Sequence, residues 1–352
     1  MKKFLLALPV LATLVLTSCQ KERINNYFDE KSPSVADDNT SGLRGGGGSG
    51  DGGLYGGVEV GGLLDKLFVF TDGKKDGNWQ GATKGFVGDV AIKGTILKEK
   101  TSGTVPYAGI ITTNDHDLDV WQEIVNDNVG QASALLHEPS VLNQLEHTLE
   151  NAFLQINDLP VTPGFAGITP QSLNGYNSQN GIAEIFVINI NSDLQVSTKI
   201  NITGDVTDLY FMRWDTDQDF SNGYNGQVKF KSGGAIVPMG GLNAASFVHV
   251  AGEISSSGGG ENPAAPYPQG PRLNDGAGNL INGGSDFNGG GFFTGYWFTT
   301  GKPSIFQGNR QPYGETPSLS NAIFVGGWYS TTTKFSMTSG TSGVHKTKNT
   351  YN

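Results

Sequence analysis

A chain of 352 residues with 52 glycines, one cysteine and a formal charge of −10 sets aside several classes at once. The lone thiol, Cys19, allows no intramolecular disulfide and no thiolate metal cluster. No run of Lys and Arg is present to meet phosphates, which excludes nucleic acid as a partner, and the glycine content predicts many turns and short strands rather than long helices.

Residues 1–18 have the layout of a secretory signal. Lys2 and Lys3 precede an uncharged apolar run from Phe4 to Leu16, too short to span a bilayer comfortably, and small residues follow. Leu16-Thr17-Ser18-Cys19 resembles the lipobox of bacterial lipoproteins, which implies cleavage before Cys19 and acylation of it. Two or more acyl chains would anchor the protein stably to a membrane. An ordinary signal peptide with an incidental cysteine is the other reading. Loss of Lys2 and Lys3 with the signal takes the formal charge to −12, so the acyl chains, not electrostatics, are the expected membrane contact. The expected location is the cell envelope, at the outer membrane and cell surface.

Residues 19–56 read as a flexible tether. They are polar and end in the glycine run Gly45 to Gly48 followed by Ser49-Gly50-Asp51-Gly52-Gly53, which buries too little surface to offset its ordering entropy. The folded region is expected over 57–352. Leu67 to Phe70, Phe86 to Ile92 and Tyr107 to Ile111 are strand candidates. A helical insertion is expected at about 117–158. Asp117 or a neighbour caps a first helix with apolar positions Trp121, Ile124, Val125, Val129, Ala132, Leu135 and Leu136. Pro139 opens a second, with Val141, Leu142, Leu145, Leu149, Phe153 and Ile156 on one face. From Ile182 onward short strands return: Ile185 to Ile190, Leu194 to Ile202, Leu209 to Trp214, Gln227 to Phe230, Ala235 to Met239 and Phe247 to Ile254. This spacing suits a sandwich, a barrel or a solenoid, and no clean repeat chooses among them.

The order of features from Ala183 to Ile190, Leu209 to Trp214, Gly234-Ala235-Ile236-Val237-Pro238 and Phe247 to Gly252 resembles the ice-binding-like adhesive domains and the related choice-of-anchor A domains of bacterial surface proteins. Phe68-Val69-Phe70 and Gly85 to Val90 are similar to the start of that domain. The resemblance covers roughly residues 60–350. It implies a mainly β fold, an irregular β-solenoid (β-helix) of triangular coils with a flanking α-helix or helical hairpin, and a non-catalytic, adhesin-like role.

Three groups of side chains are candidates for chemistry. Asp215, Asp217 and Asp219 alternate in a way that could converge on Ca2+, although the sixth and twelfth positions of an EF-hand loop are here Phe220 and Gly226; a solvated loop is the alternative. Asp115, Asp117 and Asp119 form a second acidic cluster, which helix capping also explains. The stretch from Gly289 to Gly301 is dense in aromatics. Phe293, Tyr296 and Trp297, with Trp328 and Tyr329, either stack on a glycan or anchor a protein partner, or else fill coil interiors while the glycines turn corners. Thr299-Thr300 and Thr331-Thr332-Thr333 are too few for the flat hydroxyl array that literal ice binding needs. The five histidines are scattered in the sequence, and no Gly-x-Ser-x-Gly elbow or phosphate loop occurs. Catalysis is therefore not expected. The strongest enzyme alternative is a calcium-assisted β-helix polysaccharide lyase using Arg213 and the acids after it. Together these features point to a lipid-anchored, adhesin-like module binding an extracellular protein or glycan, with glycan binding or lyase chemistry as the alternative.

Overall fold

The computed structural model describes residues 54–71, 78–79, 85–94, 107–127, 132–191, 195–215, 227–231, 234–257, 291–299, 318–319, 322–331, 336–337 and 342–344. Their strands pair in parallel, apart from one antiparallel pair of two-residue strands at Leu54–Tyr55 and Val58–Glu59.

Three parallel ladders organise the chain. The first runs through Ile185–Asn191, Leu209–Asp215, Phe247–Ala251, the ends of Gly291–Thr299 and Ala322–Ser330, then Phe68–Phe70, Val90–Ile92, Tyr107–Thr113 and Ala132–His137. The second joins Tyr176–Asn177, Lys199–Gly204, Ala235–Gly240, the beginnings of Gly291–Thr299 and Ala322–Ser330, Ser342–Val344, Gly85–Val87 and Tyr107. The third contains Gln195–Val196, Gln227–Lys231 and Glu253–Ser257, and separately Ser318–Leu319, Ser336–Met337 and Asn78–Trp79. The chain visits these ladders in turn and stacks each pass on the last, which is a β-solenoid with a flanking helix.

The stacking order is not the chain order. From Phe68 the coils advance to Ala132–His137 at one end. Helix α1 (Asp119–Asp127) places Trp121 and Ile124 in the core there. Helix α2 (Pro139–Asp158) then runs back along the first ladder, and the coils restart at Ile185–Asn191. They return until Trp328, Tyr329 and Ser330 pair with Phe68, Val69 and Phe70. The lengths agree. Seven strand steps at about 4.8 Å separate Ala132–His137 from Leu209–Asp215, or roughly 34 Å, and a 20-residue helix at 1.5 Å per residue covers about 30 Å.

Helix α2 explains the composition of the first ladder. Leu142, Leu145, Leu149, Ala152, Phe153 and Ile156 are buried against Val69, Ala91, Val187, Phe211, Val248, Phe298 and Tyr329. The opposite side of the same strands, including Phe68, Ile188, Tyr210, Trp214 and Trp297, fills the coil interior. Buried on both sides, these strands read as continuous apolar runs. Lys199–Gly204, on the second ladder, instead alternates half-buried and buried positions. Inside the coils aromatic rings stack at the strand spacing. Phe186 lies 4.8 Å from Tyr210 and Tyr210 5.2 Å from Phe247, and Phe293 is 4.8 Å from Phe324.

Several expected elements change, among them Leu194 to Ile202 and Phe247 to Ile254, each of which is two strands. Ala132–His137, expected within a helix, is a strand paired in parallel with Tyr107–Thr113. A free sheet edge at the end of the stack needs a partner for its backbone groups, and that outweighs the helical preference of Ala and Leu. The expected single run Phe86 to Ile92 is two strands, Gly85–Val87 and Val90–Ile92, broken at Gly88, where φ is 136° and the coil turns from the second ladder to the first. Gly109, Gly295 and Gly326 also have positive φ between the two ladders. A Cβ on Gly295 would sit 2.6 Å from the Phe247 carbonyl oxygen, so these turns admit only glycine.

Candidate functional site

The aromatic candidates lie in the interior. Phe293, Tyr296, Trp297, Trp328 and Tyr329 are all buried. Of the two alternatives for them, an exposed strip and a filled coil interior, the structure has the second, because each coil needs bulk on its inner side and beneath α2. Trp297 stacks on His249 with ring centres 3.9 Å apart, and Tyr329 donates its hydroxyl to the Lys66 carbonyl at 3.0 Å. The threonines follow the same logic. Thr299 and Thr331 are buried, and Thr299 accepts from the Trp328 indole at 2.8 Å and donates to Ser330 at 2.8 Å. Thr300, Thr332 and Thr333 lie outside the described residues. So do Cys19, Asp217 and Asp219, while Asp215 is described only as the last backbone position of Leu209–Asp215.

Arg213 is a structural cation. Its Nε donates to Asn189 Oδ1 at 2.8 Å, and Nη1 donates to the carbonyls of Ile156, Asn157 and Leu159 at 3.2, 2.6 and 2.9 Å. Those carbonyls close α2, whose last turn has no basic residue of its own. A cation there meets the negative end of the helix dipole and orphan acceptors. Burial pulls the guanidinium down to about 10, with Asp158 pulling the other way, so it stays charged at neutral pH. This capping role occupies Arg213 Nε and Nη1 and takes the place of the lyase reading of Arg213.

His249 is equally committed to the core. The Trp214 indole N–H donates to Nδ1 at 3.3 Å, which leaves the proton on Nε2, 3.0 Å from the Thr294 carbonyl. Burial pushes the imidazole down to about 3, against a smaller opposing effect of the Thr294 carbonyl, so the ring is neutral at physiological pH.

The described surface differs most from ordinary loops where the coils turn between the second and first ladders near the Ile185–Asn191 end. Single glycines turn the middle coils, but here the turns are the longer stretches 178–184, 204–208 and 240–246. A buried carboxylate pins them. Asp208 accepts from Ser178 Oγ at 2.6 Å and the Asp205 amide at 2.9 Å through Oδ2, and from the Glu184 amide at 3.1 Å through Oδ1. The Tyr210 hydroxyl lies 2.7 Å from Ser178 Oγ, and burial holds that phenol protonated well above its usual range. Asp205 Oδ2 accepts from the amides of Asn180 and Gly181 at 2.9 and 2.8 Å, and the Gly241 amide donates to the Gly204 carbonyl at 2.9 Å. On this pinned backbone Ile182 is 62% exposed and Val206 56% exposed, and Met239, in register with Thr203, is 37% exposed. The residue pattern gave one usable signal for this corner, an isolated apolar residue inside each polar turn.

Among the described residues no group of three or more His, Cys, Asp and Glu side chains converges as a metal site. His116 and His137, 21 positions apart, nonetheless lie with ring centres 5.5 Å apart.

No family model matches the chain, and no curated protein matches it. Solved structures do. An ice-binding protein from the Antarctic ascomycete Antarctomyces psychrotrophicus is 10% identical, with 80% of this chain and 97% of that chain covered and a TM-score of 0.40. One from an Arctic yeast is 12% identical over 82% and 95%, with a TM-score of 0.44. One from an Antarctic bacterium of the Flavobacteriaceae is 12% identical over 82% of this chain, with a TM-score of 0.42, and the match spans 48% of that protein. The strand pairings described above, not these likenesses, carry the fold assignment.

Proposed function

We propose that the protein is a non-catalytic binding module of the cell surface, held to the envelope by a lipid on Cys19, that engages an extracellular protein through the corner carrying Ile182 and Val206. The observation supporting this is a pair of exposed aliphatic side chains on a backbone locked by Asp205 and Asp208. Scattered exposed apolar residues are ordinary on mobile loops. On a pinned turn they are preorganised, and a partner that covers them loses little conformational entropy on binding. Aliphatic side chains suit the apolar surface of a protein, whereas sugar rings are stacked by aromatics, and the five aromatic candidates are buried.

Two variants test the reading in cells that export the chain. Cys19→Ser should move the protein from the membrane fraction to the soluble one; unchanged fractionation removes the anchor from the proposal. The double variant Ile182→Asp, Val206→Asp should keep the far-ultraviolet spectrum and membrane attachment but lose binding to immobilised extracellular matrix proteins that the wild type retains. Undiminished binding by the double variant overturns the proposed corner. Inhibition of ice recrystallisation by both forms would put an ice-binding function in place of the protein partner.

A further inference from the structure

The end of the solenoid remote from that corner brings together two side chains the sequence separates. His137 ends the strand Ala132–His137 and is in register with Thr113, and the Glu138 amide donates to the Thr113 carbonyl at 3.0 Å. His116 sits in the turn that follows Thr113. That turn is held by a chain of side-chain bonds. The Asp115 amide donates to Thr113 Oγ1 at 3.1 Å, the Asp117 amide to Asp115 Oδ1 at 3.0 Å and the Asp119 amide to Asp117 Oδ1 at 3.2 Å. The Trp121 indole donates to Asp115 Oδ2 at 3.0 Å, so both Asp115 oxygens are occupied in fixing the turn. Both imidazoles are exposed, and their planes tilt by 40° with centres 5.5 Å apart.

We infer that His116 and His137 form a two-imidazole site for a divalent transition cation, of which Zn2+ fits best, with water completing its coordination. With zinc–nitrogen bonds of about 2.1 Å and roughly 1.1 Å more to each ring centre, two imidazoles at the tetrahedral angle lie about 5.2 Å apart. A square-planar or cis-octahedral pair would require about 4.5 Å. The observed separation therefore needs a shift of only a few tenths of an ångström for zinc and about 1 Å for the other geometries. Both ligands stand on backbone already fixed by strand pairing and by the Asp115 and Asp117 bonds, so little ordering is left for the metal to impose. The net negative charge of the chain favours a cation at its surface. Sequence spacing hid the site, because the two histidines meet only when successive coils stack.

Calorimetric titration of the full-length protein, purified without a histidine tag, with zinc chloride at pH 7.5 tests this. The wild type should bind one equivalent. His116→Ala and His137→Ala should each weaken binding by at least about tenfold, and His147→Ala, whose imidazole on α2 lies 3.3 Å from Asn151, should leave it unchanged. All three are surface substitutions, and a far-ultraviolet spectrum equal to the wild type's confirms the fold. The double variant His116→Ala, His137→Ala should show no binding. No heat with the wild type up to 1 mM zinc, wild-type affinity in His116→Ala, or binding retained in the double variant would each overturn the assignment, the last by pointing to carboxylates.

Discussion

Replacing His249 with phenylalanine should reverse the order of stability of the two proteins as the solution is acidified. In the unfolded chain the imidazole takes up a proton below about 6.5, whereas in the folded core burial delays this until about 3. Between those values the unfolded state binds more protons, so the stability of the wild type falls as pH falls, and the histidine's contribution is complete only above 6.5. At about 1.4 kcal/mol per unit, the whole window is worth about 5 kcal/mol. Phenylalanine keeps a ring against Trp297 but removes the acceptor of the Trp214 N–H and the donor to the Thr294 carbonyl, a cost of about 2–4 kcal/mol that does not change with pH. The wild type should thus be the more stable protein at pH 7.5, and the curves should converge on acidification and cross at roughly pH 3.5 to 5. Urea unfolding followed by tryptophan fluorescence from pH 7.5 to 4 measures this. Carboxylate titration is common to both chains and cancels in the difference. A difference that stays within about 1 kcal/mol between pH 7 and 4.5, where a change of about 2–3 kcal/mol is expected, would refute the buried neutral imidazole.

Arg213→Met should lower stability by about 2–4 kcal/mol by removing the donor to the carbonyls of Asn157 and Leu159, Ile156 keeping its bond from the Leu159 amide, and Arg213→Lys should recover only part of this, since an ammonium cannot reproduce the spread of donors; urea midpoints read both. Trp297→Ala should cost about 3–5 kcal/mol as a core truncation, with any loss of ligand binding tracking the unfolded fraction, measured by parallel circular dichroism and binding assays. Gly295→Ala should give little soluble protein, because its Cβ meets the Phe247 carbonyl at 2.6 Å on a backbone with φ of 100°; soluble yield against Gly57→Ala, where φ is also positive but nothing lies within 4 Å, isolates the clash.

The parts of the fold that were legible in the sequence are those where local and global demands agree. Ile185–Asn191, Leu209–Asp215 and Phe247–Ala251 could be read because burial on both sides makes a strand apolar throughout. Helix α2 could be read because Leu142, Leu145, Leu149, Phe153 and Ile156 mark one stripe and Pro139 its first turn. Ala132–His137 was misread because its residues favour a helix and only the neighbouring coil makes it a strand. The aromatics were ambiguous for a different reason. A solenoid interior and a binding strip ask for the same residue types, and only the register of Phe293 with Phe324 and Trp297 with Trp328 separates the two. Arg213 looked like a site residue because nothing in its own segment shows that a helix ending more than fifty positions earlier supplies its acceptors.

The meeting of Phe68–Phe70 with Trp328–Ser330 has a consequence for how the molecule is made. Tyr329 reaches the Lys66 carbonyl across 263 positions of chain, so strands that emerge early in synthesis wait for partners that emerge near its end. Until then the flank of Phe68 is an open ladder, competent to pair with any extended segment nearby. A chain truncated before Trp328 would lack the partner of Phe68–Phe70 on that flank and leave the seam open.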